Sequence, residues 1–320
     1  MHILSTVPLN EDHVERIRAV APGAQVTVLP GRQAAPEDLD RAFAQAEVVF
    51  LFGQELTPAR LRSAARLRWI QSAYAGVDRL LAAVPELRRH PAVLTNARGM
   101  HAATIADHVF MLMLAWARGL PACLDLQRRR QWRRVPVREL AGETLAVIGL
   151  GGIGREVARR AVAFGMRVMG VRRRPGPVPG VDPVVGPADL RRVLEPAQWV
   201  VVSVALTPET RHLIGRRELA AMRRDAFLIN VSRGEVIDEE ALVEALRDRR
   251  IAGAGLDVFT EEPLPPGHPL WSLDNVLITP HNAGNMRDYV GTALELFLDN
   301  LGRYLRGAPL RNQVDKERGY

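Results

Sequence analysis

A chain of 320 residues is longer than one hydrophobic core usually serves, so two domains are expected. Hydrophobic residues at 47% and charged residues at 25% are ordinary for a folded protein and exclude extensive disorder. The net charge of +7 is carried almost wholly by arginine: the 43 basic residues include a single lysine, Lys316. That leaves no internal lysine for a Schiff base or a phosphate-binding loop, which excludes pyridoxal enzymes and P-loop nucleotidases.

Residues 1 to about 96 read as alternating short strands and helices. Residues 26–29, 48–52 and 68–71 have strand character, and residues 36–46 have helical spacing. An apolar helix is predicted over 103–118, followed by the arginine-rich stretch 128–134 with Trp132 inside it. The longest apolar run, 109–117, is far short of the roughly 20 residues of a membrane span. The first residues show no basic stretch leading into an apolar core, so no signal peptide is expected. Cys123 is the only cysteine, which rules out an intrachain disulfide and fits a reducing cytoplasm.

From Thr144 the pattern sharpens. Residues 145–148 form a buried-strand run that leads into Gly149-Leu150-Gly151-Gly152-Ile153-Gly154 and a helix to 164. Further strands are predicted at 166–171, 199–204, 226–231, 253–257 and 276–278, and helices at 187–194, 216–222 and 239–248. The Pro/Gly-rich stretch 175–187 reads as a loop. Strand–helix alternation of this kind implies a parallel sheet covered on both faces.

A lone GxGxxG says little, but here Gly149, Gly151 and Gly154 follow a strand and open a helix. The first glycine permits the tight turn, the second lets backbone approach a pyrophosphate, and the third allows close helix–strand packing. The helix N-terminus then offers N–H groups and a partial positive charge to phosphates. In NAD-specific sites an acid ends the next strand about 20 residues on and binds the ribose 2′-hydroxyl. Here Arg172-Arg173-Arg174 stands at that distance. A guanidinium suits a 2′-phosphate, so NADPH is expected over NADH.

Three later segments each end a predicted strand and carry a polar group: Asn230-Val231-Ser232-Arg233-Gly234-Glu235, Gly255-Leu256-Asp257 through Glu261-Glu262-Pro263-Leu264, and Thr279-Pro280-His281-Asn282. In open parallel sheets ligands bind beyond the carboxyl ends of strands. With Tyr74-Ala75-Gly76-Val77-Asp78, Asn96-Ala97-Arg98-Gly99 and Leu206-Thr207-Pro208-Glu209-Thr210, these segments resemble the D-isomer-specific 2-hydroxyacid dehydrogenases over about residues 74–284. The kind of member it resembles is an NADP-preferring glyoxylate/hydroxypyruvate reductase.

The resemblance implies two doubly wound α/β domains. A Rossmann cofactor domain, residues 98–281, would be inserted into a flavodoxin-like substrate domain of residues 1–97 and 282–320, the latter including a helix near 286–306. It implies hydride transfer between NAD(P)H and a small 2-keto acid, giving the D-2-hydroxy acid. Arg233 resembles the arginine that grips the carboxylate and polarises the keto oxygen, His281 the general acid, and Glu262 its carboxylate partner. Glu262 is selected over Glu261 because the family's acid directly precedes the proline. The backbone of Ala75, Gly76 and Val77 resembles the loop that holds the substrate carboxylate. Asp257 resembles the residue that orients the nicotinamide carboxamide. Gly149, Leu150, Gly151, Gly152, Ile153, Gly154, Arg172, Arg173 and Thr210 complete the expected cofactor contacts. A homodimer is implied through the helix near 103–118.

These roles make chemical sense. Reduction of a ketone develops alkoxide charge, which a nearby acid and a fixed cation relieve. No metal cluster is expected, since no His/Cys/Asp group has ligand spacing. Asp107, Ala205 and Asn282 depart from the family pattern, and Asn282 stands beside the expected acid. Tyr74, Met100, Trp132 and Trp271 are candidate pocket-lining residues, and the substrate's side chain stays open. One rival reading is a non-catalytic dinucleotide-sensing protein resembling a corepressor. Another is nucleic-acid binding through 128–134, against which the plainer reading is a solvated helix end. Neither a nucleic acid nor a membrane is an expected partner.

Overall fold

A computed structural model describes residues 1–31 and 33–319. In chain order the first elements are β1 (His2–Ser5), α1 (Glu11–Val20), β2 (Gln25–Val28), α2 (Pro36–Gln45), β3 (Val48–Leu51), α3 (Pro58–Ser63), β4 (Trp69–Ser72), α4 (Asp78–Ala83) and β5 (Val93–Thr95). Then come α5 (Ala102–Ala117), α6 (Leu120–Arg128), β6 (Thr144–Ile148), α7 (Gly152–Ala163), β7 (Arg167–Val171), β8 (Val184–Val185), α8 (Leu190–Leu194) and β9 (Trp199–Val202). The chain ends with α9 (Arg216–Ala221), β10 (Phe227–Asn230), α10 (Glu239–Arg247), β11 (Gly253–Leu256), β12 (Val276–Ile278) and α11 (Tyr289–Leu305).

Two compact units result: Met1–Met100 with Met286–Tyr320, and His101–Asn285. The chain therefore returns to the first unit a few residues later than the expected 281/282 junction. Asn282 and Ala283 donate their N–H groups to Asp257, which keeps them with the second unit.

The first unit is a five-stranded sheet in the order β2-β1-β3-β4-β5, every pairing parallel. That is the flavodoxin-like order. Side chains alternate across a strand, and this sends successive apolar residues to opposite faces. Ile3, Val48, Phe50 and Trp69 join one core with Ile17 of α1 and Leu294, Phe297 and Leu301 of α11. Leu4, Val49, Leu51 and Ile70 join the other with Leu39 and Phe43 of α2 and Leu61 of α3. Phe297 stacks on Phe50 and Trp69 with ring centroids 4.8 and 5.2 Å away. Each such pair contributes about 0.5–1.5 kcal/mol beyond its buried area.

The second unit holds seven parallel strands in the order β12-β11-β10-β9-β6-β7-β8. Counted from β6 this is 3-2-1-4-5-6-7, the Rossmann order extended by one strand. Leu145, Val147, Trp199, Val201, Phe227 and Ile229 face α5 and α7. Ala146, Ile148, Val200, Val202 and Leu228 face α8, α9 and α10. Burial on both sides explains the unbroken apolar runs. It also explains α5, whose apolar character belongs to a core helix packed against α7. Among the described residues no single helix is long and apolar enough to cross a membrane.

Several predicted elements change at their ends. β9 stops at Val202 and β10 at Asn230, because polar side chains there turn the chain: Ser203 donates to Gly149 O, and Asn230 Oδ1 accepts from Ser232 N. The stretch 175–187, expected as a loop, carries β8. The N–H groups of Gly170 and Arg172 on the sheet edge find acceptors there, at Pro183 O and Val185 O. The helix expected over 187–194 begins as a 3-10 turn before α8. Strands β1 and β5 had no alternation to announce them, being short. Helix α1 is capped at its start by Asn10, whose side chain accepts from His13 N.

Burial holds His2, His90, His101 and His108 below the ordinary histidine value of 6.5, so folding favours their neutral rings. The unfolded chain then takes up protons first as pH falls. Stability contributed by these groups is complete above 6.5 and is lost progressively below it. Glu156, held at about 2 chiefly by its hydrogen bond with Arg159, acts only below its ordinary 4.5. The urea midpoint should therefore already drop between pH 7.5 and 5.5, and His101→Gln should reduce that drop. Equal midpoints at the two pH values would contradict the assignment.

Candidate active site

The pairing registers of the second unit align one row of residues: Val171, Ile148, Val202, Asn230, Leu256 and Ile278 are successive neighbours across six strands. All are at the carboxyl end of their strand. The segments that follow them, beginning at Arg172, Gly149, Ser203, Val231, Asp257 and Thr279, therefore emerge along one edge. Strands lie about 4.8 Å apart, so residues remote in sequence become neighbours there. The order reverses between β6 and β9, the crevice where ligands bind in such sheets.

Gly149 (φ +104°) begins the turn after β6. A Cβ on Gly154 would lie 1.9 Å from Gly149 O, so only glycine lets α7 sit this close to the turn. Gly151 caps α7, and a Cβ built on it would meet nothing within 4 Å. Leu150 is buried and packs under the turn, while Gly152 and Ile153 form the first turn of the helix. Open space before Gly151, at an N-terminus whose N–H groups point outward, fits a pyrophosphate.

Arg172 is half-buried at the end of β7, its N–H held by Val185 O. Arg173 is exposed, and its charge helps hold the Glu209 carboxyl below the ordinary range, the Thr207 hydroxyl being the larger cause. Thr210 holds its own turn: Oγ1 donates to Ala205 O at 2.7 Å and accepts from Thr207 N at 2.8 Å.

His281 and Glu262 come from the segment after β12 and the loop after β11. His281 Nδ1 lies 2.9 Å from Glu262 Oε2, and Glu262 Oε1 accepts from Phe259 N. Glu261 is exposed. His281 has φ +53°, a conformation costing a non-glycine residue roughly 1–2 kcal/mol. Asp257, 1% exposed, holds it there. Its carbonyl accepts from His281 N at 2.8 Å, Oδ1 accepts from Asn282 N at 2.8 Å, and Oδ2 accepts from Ala283 N at 2.9 Å. Oδ1 also accepts from the Thr279 hydroxyl at 2.6 Å.

Arg233 follows β10 and is shaped by Asn230. That side chain accepts from Ser232 N and Oγ and donates to Arg233 O at 2.9 Å. The Arg233 guanidinium donates to Ser232 O at 2.8 Å. Gly234 brings the Arg233 turn against the loop that carries Glu262, since a Cβ there would lie 2.0 Å from the carbonyl carbon of Phe259.

Asn230 and Gly234 were quoted in the sequence without a role. Their signal was position: a polar side chain ending an apolar strand, and a glycine after the candidate arginine. His108 places Nε2 2.9 Å from the Thr279 hydroxyl. Asn282 folds onto its own turn, accepting from Asn285 N and Nδ2. Asp107 pairs with Arg160.

In the first unit, Ala75, Gly76 and Val77 lead into α4, and Asn96 Nδ2 donates to Ala75 O at 2.7 Å. Tyr74 lies in a cluster with Phe52 and Tyr289, at 5.0 and 6.2 Å between centroids. Met100 packs against the α1/α11 core. In the second unit Trp132 is wholly exposed, and Trp271 donates to Pro265 O. Among the described residues no group of three or more His, Cys, Asp or Glu side chains could hold a metal ion.

The profile of the D-isomer specific 2-hydroxyacid dehydrogenase NAD-binding domain matches residues 110–283. The chain is 35% identical over 320 residues to a D-3-phosphoglycerate dehydrogenase of Methanocaldococcus jannaschii, covering 98% of this chain but only 59% of that longer protein. It is 37% identical over 265 residues to a glyoxylate reductase of Korarchaeum cryptofilum, covering 80% of this chain and 78% of that one. Among solved structures, a D-isomer specific 2-hydroxyacid dehydrogenase from Xanthobacter autotrophicus in complex with NADPH and MES has a TM-score of 0.84 at 33% identity, covering 100% of this chain and 99% of that one. The chain belongs to the D-isomer specific 2-hydroxyacid dehydrogenase family, and its second unit carries that family's NAD-binding domain.

Proposed function

We propose that this protein reduces a small 2-keto acid to the D-2-hydroxy acid with a nicotinamide dinucleotide. The observation that carries the reading is the 2.9 Å contact between His281 and Glu262 on the strand edge that also presents Arg233 and the glycine turn. The nicotinamide, when bound, supplies the hydride. Glu262 engages Nδ1, which leaves Nε2 to carry the proton donated to the keto oxygen. Arg233 grips the substrate carboxylate and polarises the same oxygen. In the first unit, the N–H groups of Ala75, Gly76 and Val77 hold the carboxylate. Asp257 serves the nicotinamide carboxamide through the turn it supports. The Korarchaeum relative is a glyoxylate reductase, which makes glyoxylate the first substrate to test. A single cysteine fits reaction in the cytoplasm.

A panel of 2-keto acids with both reduced cofactors should show turnover. His281→Gln should lower kcat by about 10²–10⁴-fold, the usual contribution of a positioned acid. Arg233→Gln should lower kcat/KM by about 10²–10³-fold. No turnover with any 2-keto acid, in protein shown to bind the cofactor, would refute the reading.

NADPH is the preferred cofactor in this proposal, since Arg172 directly follows β7, where a 2′-hydroxyl-binding acid would otherwise stand. The Xanthobacter relative binds NADPH. Arg172→Ala should raise the KM for NADPH by about tenfold or more, the loss of one charge-assisted pair, with the KM for NADH little changed. Wild-type protein that prefers NADH would overturn the preference.

We also propose a homodimer formed through α5, α6 and the following arm. Met111, Leu120, Leu124, Trp132 and Val137 expose apolar surface there. Clustered exposure of this kind marks association surfaces. Light scattering after size exclusion should give twice the 35.4 kDa of one chain, and Leu124→Glu should shift it toward one. A wild-type monomer at micromolar concentration would exclude the dimer.

A further inference from the structure

We propose that His108 and Thr279 are positioning residues for His281, acting through a buried hydrogen-bond relay that runs from α5 into Asp257. The inference rests on the reading of His281 as the proton donor. Two facts about the turn make a clamp necessary. His281 has φ +53°, in the left-handed region that a residue with a Cβ occupies only at a cost. The turn is instead fixed by Asp257, whose backbone carbonyl accepts from His281 N and whose carboxylate accepts from Asn282 N and Ala283 N. The course of the backbone directly after His281 therefore depends on where the Asp257 side chain sits.

The direction of the relay follows from counting protons. Thr279 Oγ has one hydrogen. Asp257 Oδ1 is 2.6 Å away and already accepts from Asn282 N, so the Thr279 hydrogen goes to Asp257. A lone pair of Thr279 Oγ then faces His108 Nε2 at 2.9 Å, and the hydrogen of that contact belongs to His108. His108 Nε2 is also 3.5 Å from Asp257 Oδ1. Burial holds the ring below its ordinary value, against the opposing pull of Asp257, so a neutral ring with its one N–H on Nε2 satisfies the geometry.

Each link has a structural cause. His108 rides on α5, a core helix packed on α7, so the far end of the relay is anchored in the body of the second unit. Thr279 is the first residue after β12, and its N–H is bonded to Leu256 O. Glu262 sets the ring from one side, and the relay sets the backbone from the other.

The test uses full-length protein and four variants. Thr279→Val and His108→Leu each break the relay while preserving bulk. Thr279→Ser and His108→Gln keep a hydroxyl and an N–H in place. Four quantities are measured: kcat and KM for the 2-keto acid, NADPH affinity by fluorescence titration, and amide hydrogen exchange of residues 281–283. Loss of one buried hydrogen bond should speed exchange at 281–283 and lower kcat, each by about tenfold, while NADPH affinity stays within about twofold. The Ser and Gln variants should recover both. Unchanged exchange in folded Thr279→Val and His108→Leu would overturn the proposal. So would an equal fall of kcat in Thr279→Val and Thr279→Ser, or a loss confined to NADPH affinity. Exchange needs no turnover, so a wild-type protein without keto-acid reductase activity would refute the catalytic reading while the exchange data still judged the clamp.

Discussion

A carboxylate buried as deeply as Asp257 loses several kcal/mol of hydration and persists only where donors replace the water. In this protein the donors are the backbone N–H groups of Asn282 and Ala283 and the hydroxyl of Thr279, with His108 behind it. The exchange works in both directions. The donors make the charge tolerable, and the charge holds His281 in a backbone conformation it would otherwise leave. Glu262 can orient the imidazole only because the backbone beneath it is already fixed.

That arrangement depends in turn on the sheet. β10, β11 and β12 are neighbours in register, so Asn230, Leu256 and Ile278 stand in one row and the residues beyond them meet. The doubly wound order adds the glycine turn after β6 and Arg172 after β7 to the same edge. Close approach does the remaining work. Gly154 lets α7 reach the Gly149 carbonyl, and Gly234 lets the Arg233 turn rest on the backbone at Phe259. A methyl group at either site would push apart two segments that the chemistry needs together.

The arginine surplus divides into two kinds. Arg159 and Arg160 share Glu156, Arg216 meets Glu244, and Arg223 meets Asp225. Exposed pairs of this sort are screened by water and add little to stability, so they say little about function. Arg172 and Arg233 differ because each follows a strand at the ligand-binding edge. Position in the fold, rather than charge alone, separates them from the rest.

The alternation of strands and helices, the glycine turn, and the three segments that carry Arg233, Glu262 and His281 were all legible in the chain. These are local signals: period-2 and unbroken apolar runs, glycines at fixed spacing, and polar residues ending strands. Short strands such as β1 and β8 escaped, because two to four residues buried on both faces leave no period to read. It took the folded chain to show that Asp257 holds the 281–283 turn, that His108 on α5 backs it through Thr279, and that Asn282 folds onto its own turn. Those contacts join residues up to 171 positions apart, and hydrogen bonding across such a gap follows from strand register and helix packing, which no local pattern encodes.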